Sequence, residues 1–364
     1  MKNTLLIKAL AAVLVLIGCV VAQRVNAEII RVVTVNGVNG QVLNTYNVSD
    51  VDYFECGGRE VLVTVHGANG QVLNTYDVSD VDYFEFGERE VVYPFAEFAS
   101  DNKDNIVFHL APGVKFKMIK VQGASYALQE SNLGWSTEKR TRTLSDYYIA
   151  EFECTQGLWM AVKGSLPSNQ TATGDDMPVA MVPWDMIMGS ADDTFLKLLN
   201  AKMPQIRANS SADVVAALGN KEFRLPNEWE WEYAAAGGKD WANLKYTYSG
   251  TTGTGATVLN TVAVNSVSPN TASSVAVVGS KLPNNLGLYD MSGNVREWCS
   301  GLGYSDYETT AGYLTSGAGT WLSSSRPFRG GSWNYTVVSN FLVSFRNYGT
   351  STITLNNIGF RVAL

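Results

Sequence analysis

Residues 285–298 read NLGLYDMSGNVREW, and the chain is organised around them. Two tight-turn signals lie inside, Asn285-Leu286-Gly287 and Ser292-Gly293-Asn294. Gly293 takes a positive φ without steric cost, and Asn294 tolerates the same region. Leu288, Tyr289, Met291, Val295 and Trp298 supply apolar weight between and after the turns. Asp290 and Glu297 are the two carboxylates of the stretch. Such a turn has two chemical uses. Its acids and free carbonyls can hold a hard cation such as calcium, which prefers oxygen ligands. Alternatively, the acids accept backbone N–H bonds in a buried corner.

Outward from this stretch, further motifs follow a fixed order. Residues 147–155 read YYIAEFECT, 178–184 read PVAMVPW and 223–238 read FRLPNEWEWEYAAAGG. Phe116-Lys117-Met118 and Val121-Gln122-Gly123 precede them; RGGSW (329–333) and IGFRVA (358–363) close the series. Together these resemble the formylglycine-generating enzyme (sulfatase-modifying factor) family. The likeness covers roughly residues 106–364. It implies an α+β fold, a loop-rich C-type-lectin-like variant of the sulfatase-modifying-factor type.

The chain has 364 residues, enough for one large core and a smaller module. A net charge of −7 gives no electrostatic case for nucleic acid or an anionic membrane surface. Charged residues are 17%, below the usual quarter, while Trp (9) and Tyr (17) are plentiful. That balance suits surfaces that bind through aromatic rings, although core packing uses many of them. The four cysteines, Cys19, Cys56, Cys154 and Cys299, show no metal spacing. The histidines, His66 and His109, lie before or at the edge of the main domain, so it cannot build a three-His iron site.

Residues 1–27 read as a targeting segment: Lys2 and Lys8, then an apolar run over 9–22 that is too short for a good membrane span. Leu16-Ile17-Gly18-Cys19 matches a lipobox, which implies outer-membrane attachment through lipidated Cys19. Val25-Asn26-Ala27 matches ordinary signal cleavage, which implies a secreted or periplasmic protein. Both place the chain outside the cytoplasm. Residues 28–93 hold a tandem repeat: VTVNGVNGQVLNTYNVSDVDYFE (33–55) returns as VTVHGANGQVLNTYDVSDVDYFE (63–85). Alternating valines flank Asn39-Gly40, a type I′ hairpin signal, and a short aromatic strand follows. The Asp50/Asp52 and Asp80/Asp82 pairs suit turn capping or calcium. The repeats read as a spacer or stalk. Residues 94–105 are polar and read as a linker before a main domain over 106–364.

Within that domain, residues 194–202 predict a helix, and Asn227 with Glu230 predicts a capping box opening another. Residues 250–274, rich in Gly, Thr, Ser and Asn, read as a long surface loop. Cys154 and Cys299 read as buried small hydrophobes, with a disulfide between them as the alternative.

The resemblance also says what chemistry to look for. Formylglycine-generating enzymes oxidise a substrate cysteine with copper held by two cysteines after RGGS[YW]. Here those positions are Tyr335 and Asn340, neither of which supplies a thiolate, so no copper is expected. By position the resemblance carries over a structural calcium: Asp290 and Glu297 by side chain, Gly293 and Val295 by carbonyl. Arg296 stands where the family more often has Trp.

Residues 334–357, NYTVVSNFLVSFRNYGTSTITLNN, lie between the RGGSW and IGFR brackets and contain no Lys, Glu, Gln, Met or Trp. Every residue present is encodable by a codon ending in a pyrimidine, the set produced by randomising the adenines of Asn codons. This resembles the variable region of proteins targeted by diversity-generating retroelements; strand-favouring composition gives the plainer reading. As a contact face, Tyr335, Phe341, Phe345 and Tyr348 offer rigid aromatic area, and Thr336, Ser339, Thr350, Thr352 and Thr354 offer adaptable hydrogen bonds. Val337, Val338 and Leu342 are candidates for the core. The function expected is non-catalytic binding of a protein or cell-surface ligand. The alternative is a formylglycine-generating oxidase or another protein-modifying enzyme of the family.

Overall fold

The structure is a computed structural model that describes residues 27–37, 42–47, 53–56, 62–66, 72–77, 81–127, 141–301 and 325–364. The targeting segment before Ala27, with Cys19, lies outside the described residues, as do the Asn39-Gly40 turn and Asp50, Asp52 and Asp80. Two compact units are present, Met1–Tyr93 and Pro94–Leu364.

The first unit contains strands β1 (Ala27–Gly37), β2 (Val42–Asn47), β3 (Tyr53–Cys56), β4 (Leu62–His66), β5 (Val72–Asp77) and β6 (Val81–Val92). β1 pairs antiparallel with β2, setting Val33 opposite Tyr46. β4 pairs with β5 in the same way, Val63 opposite Tyr76. These are the two hairpins expected from the repeat. The aromatic strands then change partners. β3 of the first copy pairs with β4 of the second, Tyr53 opposite His66. β6 of the second copy pairs with β1 of the first, Tyr83 opposite Asn36. The two registers are equivalent with the copies exchanged. Two three-stranded sheets result, β2-β1-β6 and β3-β4-β5.

The second unit is mixed α+β. Strands β7 (Phe95–Phe98), β8 (Ile106–Ala111), β9 (Val114–Val121), β10 (Ser125–Ala127), β11 (Thr141–Thr143) and β12 (Tyr147–Ala150) open it. Four of them form an antiparallel sheet, β12-β9-β8-β7. The expected linker over 94–105 is thus not a linker throughout. Phe95–Phe98 is an edge strand whose residue Phe95 faces His109, with the rings stacked at 4.4 Å. A polar stretch hid a short strand because only two aromatic residues mark it.

Helices α1 (Gln156–Lys163), α2 (Trp184–Met188), α3 (Phe195–Asn200), α4 (Met203–Asn209) and α5 (Ala212–Leu218) follow. Trp159 of α1 stacks on Phe195 of α3, and Phe360 meets Phe195 edge-on, within the largest apolar cluster. α6 (Glu228–Ala235) begins with the predicted capping box, Asn227 accepting from Glu230 N–H at 2.9 Å and Glu230 accepting from Asn227 N–H at 3.0 Å. Every residue of α6 is buried, so its three glutamates need partners. Arg224 pairs with Glu230, Arg346 with Glu228, and Arg329 with both Glu228 and Glu232.

Residues 250–274 are not the surface loop expected. After α7 (Trp241–Leu244), helix α8 (Ala256–Val262) forms there, and Leu259, Val262 and Ala263 pack with Tyr248, Val267 and Phe341. Leu259, Val262 and Ala263 keep helical spacing, but small polar neighbours disguise it. The last sheet is β15-β14-β13-β16, built from β13 (Arg296–Trp298), β14 (Ser325–Arg329), β15 (Arg346–Thr350) and β16 (Ile358–Gly359).

Candidate functional site

The stretch 285–298 folds into a buried corner. Asp290, Gly293 and Asn294 all take positive φ (56°, 96° and 55°). Asn294 is held on every side: its amide donates to Glu153 at 2.6 Å, its side-chain oxygen accepts from Ala276 N–H, and its own N–H reaches Val264 O. The second oxygen of Glu153 accepts from Val295 N–H at 2.8 Å. Burial, and then the charges of Asp290 and Glu297, push the Glu153 carboxyl well above the usual range.

Glu297 is 0% exposed. Arg361 grips it through Nε and Nη2, both at 2.7 Å, and Trp231 Nε1 donates to it at 2.7 Å. The remaining Arg361 donors go to the carbonyls of Ala150, Glu151 and Tyr289. All five guanidinium N–H groups are therefore used.

This geometry does not fit the expected calcium. Glu297 is the counter-ion of Arg361, and both of its oxygens are taken. A dication beside it would compete with a guanidinium already in place. Of the set Asp290, Gly293, Val295 and Glu297, the Glu297 ligand is thus already engaged, and among the described residues no group of three His, Cys, Asp or Glu is arranged to hold a metal ion. Asp290 keeps one oxygen on Gly279 N–H at 2.7 Å, while the other has no partner among the described residues.

A pH dependence follows from that orphaned oxygen. Burial is the largest cause raising Asp290 from 3.8 to about 6; Gly279 N–H and Arg361 oppose it, and Glu297 adds to it. The unfolded chain therefore loses this proton at lower pH than the folded one. The contribution of Asp290 to stability falls as pH rises across the window from 3.8 to about 6 and stays lower above it. Asp290→Asn keeps an acceptor for Gly279 and suits the left-handed φ. It is expected to be near neutral below pH ~4 and stabilising by about 1–3 kcal/mol above pH ~6. Urea unfolding at the two pH values checks this, and equal shifts at both would contradict it.

Of the two residues that the resemblance sets at the family's copper-ligand positions, Tyr335 accepts a 2.7 Å hydrogen bond from Arg296 Nη1, and Asn340 sits in the 3-10 turn Val338–Phe341. Cys154 and Cys299 are free and buried, in separate apolar clusters, so the disulfide alternative is not formed. Burial raises both thiols well above their ordinary value.

The segment 334–357, which carries a 3-10 turn and strand β15, is closed at its neck. Asn357 Nδ2 donates to Asn334 Oδ1 at 2.7 Å and to Ser332 Oγ at 3.1 Å. Trp333 Nε1 reaches Asn356 O. Of the nine residues expected on its face, Thr336, Tyr348, Thr350, Thr352 and Thr354 are exposed, and Tyr335 and Ser339 are half-buried. Phe341 and Phe345 are buried, which corrects their assignment as contact residues. Phe341 packs into the α8 cluster, and Phe345 meets the edge of Tyr335. Val337, a candidate for the core, is 51% exposed instead. A Val-rich stretch with no strict alternation hides which side faces water. Leu355 and Met186 are also exposed, and sequence reading missed both. Met186 belongs to α2, which is tied to the loop by Asp185 N–H to Ser351 O and by Ser351 Oγ to Asp185.

Residues 107–364 match the model of the sulfatase-modifying factor enzyme 1-like domain. The chain belongs to the sulfatase-modifying factor family. Among solved structures it is similar to Treponema denticola variable protein 1, with 29% identity and a TM-score of 0.52, covering 69% of this chain and 95% of that one. Chaperone protein LppX of Paenibacillus barcinonensis is 32% identical over 50% of this chain and 70% of that protein. The formylglycine-generating enzyme of Streptomyces coelicolor is 35% identical, but the match spans 38% of this chain and 46% of the enzyme. The sulfatase-modifying factor domain of this chain therefore shares its fold with a variable protein and part of its sequence with a formylglycine-generating enzyme.

Proposed function

We propose that this protein is an extracytoplasmic, non-catalytic binder of a protein or cell-surface ligand, and that residues 334–357 are its diversified contact face. The observation that carries the reading is the division of labour in that loop. Its ends and its Phe341 and Phe345 anchors are locked into the scaffold, whereas Thr336, Val337, Tyr348, Thr350, Thr352, Thr354 and Leu355 stand in solvent. A mixture of Tyr and small hydroxyl side chains on a rigid support suits recognition of many surfaces. The likeness to a variable protein of T. denticola supports this. So do Tyr335 and Asn340 at the positions where the oxidase has thiolates. Export rests on the charged and apolar pattern of residues 1–27, with Cys19 or Ala27 as the processing point.

A displayed library tests the reading. Thr336, Tyr348, Thr350, Thr352 and Thr354 are randomised together in the full chain, and Phe341 and Phe345 in a second library. Exposed substitutions usually stay within about 0.5 kcal/mol each, whereas aromatic truncation in a core costs about 3–5 kcal/mol. Most clones of the first library are expected to fold and to yield binders to unrelated proteins, and few of the second to fold. A first library that folds but yields no binders, or that misfolds as often as the second, would end the proposal. Sequencing residues 334–357 across clones of one strain adds a genetic arm, with substitutions expected at adenines of Asn codons.

A further inference from the structure

Two buried arginines near the central corner have opposite surroundings. Arg361 has a carboxylate and no idle donor. Arg296 is only 6% exposed, yet its partners are neutral: Tyr335 Oη at 2.7 Å from Nη1 and Asn357 Oδ1 at 2.6 Å from Nη2. Its guanidinium lies 4.4 Å from the Phe328 ring centre and 5.2 Å from that of Tyr335. Nε has no hydrogen-bond partner, and no carboxylate pairs with this side chain among the described residues. Burial lowers its pKa, which marks the cost of holding the charge there.

A buried cation is ordinarily met by an anion. The loop above Arg296 cannot provide one. Residues 334–357 contain no Asp or Glu, and Arg346, their one charged residue, pairs with Glu228. Both neutral partners of Arg296 come from the ends of that loop, and Tyr335, on one side, is half-buried. Among the described residues no side chain supplies the missing charge, which leaves the place open to an anion from outside.

We propose that Arg296 is a scaffold-borne receptor for a carboxylate of the ligand, which binds where the Tyr335 hydroxyl now sits. The inference rests on reading 334–357 as a contact face. A planar carboxylate extends the plane of a guanidinium stacked on an aromatic ring and engages it bidentately. Aromatic walls exclude water and strengthen the pair. The loop supplies variable contacts, and Arg296 supplies one contact that does not vary.

Acetate is the probe. It is titrated into the full chain at constant ionic strength while the arginine Nε–Hε resonances are followed by NMR. One resonance, absent from Arg296→Met or, should that variant not fold, from Arg296→Lys, is expected to shift saturably. Tyr335→Phe removes the competing hydroxyl and is expected to tighten acetate by about 3- to 10-fold. A resonance that stays still in both the native chain and Tyr335→Phe would overturn the proposal. So would inorganic phosphate saturating it at lower concentration than acetate. The two readings fail separately. A randomised face that yields binders while acetate leaves Arg296 unmoved removes the receptor alone. A responsive Arg296 beneath a face that yields no binders removes the contact face alone.

Discussion

Arg361→Ala is expected to remove about 3–5 kcal/mol of stability, enough to unfold a marginal domain. The loss comes from what remains behind. Glu297, 0% exposed, keeps only Trp231 and becomes an uncompensated buried charge beside Glu153 and Asp290. The carbonyls of Ala150, Glu151 and Tyr289 lose their shared donor at the same time. Arg361 therefore joins three stretches that are far apart in sequence: YYIAEF, GLYDMSGNVREW and IGFR. Arg361→Met with Glu297→Met removes both charges, and the double change is expected to be much milder than the single one. Denaturant unfolding of the three chains gives the answer; a single-variant loss below about 1 kcal/mol would contradict the assignment of Arg361 as the joining residue.

The second large effect is steric. Gly293 has φ +96°, and a Cβ there would stand 2.6 Å from Val264 O, 2.9 Å from Val264 N and 2.9 Å from Ala263 Cβ. Backbone cannot step aside as a flexible side chain can. Gly293→Ala is expected to cost about 2–5 kcal/mol, left-handed strain and overpacking together. Gly287 provides the control. It has φ +81°, and a Cβ placed there would meet nothing within 4 Å, so Gly287→Ala is expected to cost only the strain, about 1–2 kcal/mol. Equal losses at the two glycines would show that crowding at Gly293 has no weight.

The scaffold was legible because its motifs are local. Asn227 and Glu230 cap a helix through bonds three residues apart, and the repeat valines lie on strands paired with their near neighbours in sequence. What failed was whatever depends on distant partners. Glu297 matched a metal ligand by position, but its role is set by Arg361, 64 residues away. Phe341 looked like a contact residue because nothing nearby in sequence reveals the Leu259 and Val262 cluster that covers it. Phe95–Phe98 looked like linker because its pairing with β8 is invisible in a short polar stretch. Arg296 was legible only as an unusual residue. Its proposed role rests on the acid it lacks among the described residues, and sequence alone does not show such a gap.

The exchange of aromatic strands between the two N-terminal copies makes each depend on the other. Each copy supplies a hairpin and a third strand, but that strand completes its neighbour's sheet and never its own. Neither copy is complete without the other. Deleting either one would leave a hairpin without the strand that flanks it here and a third strand without the hairpin it flanks.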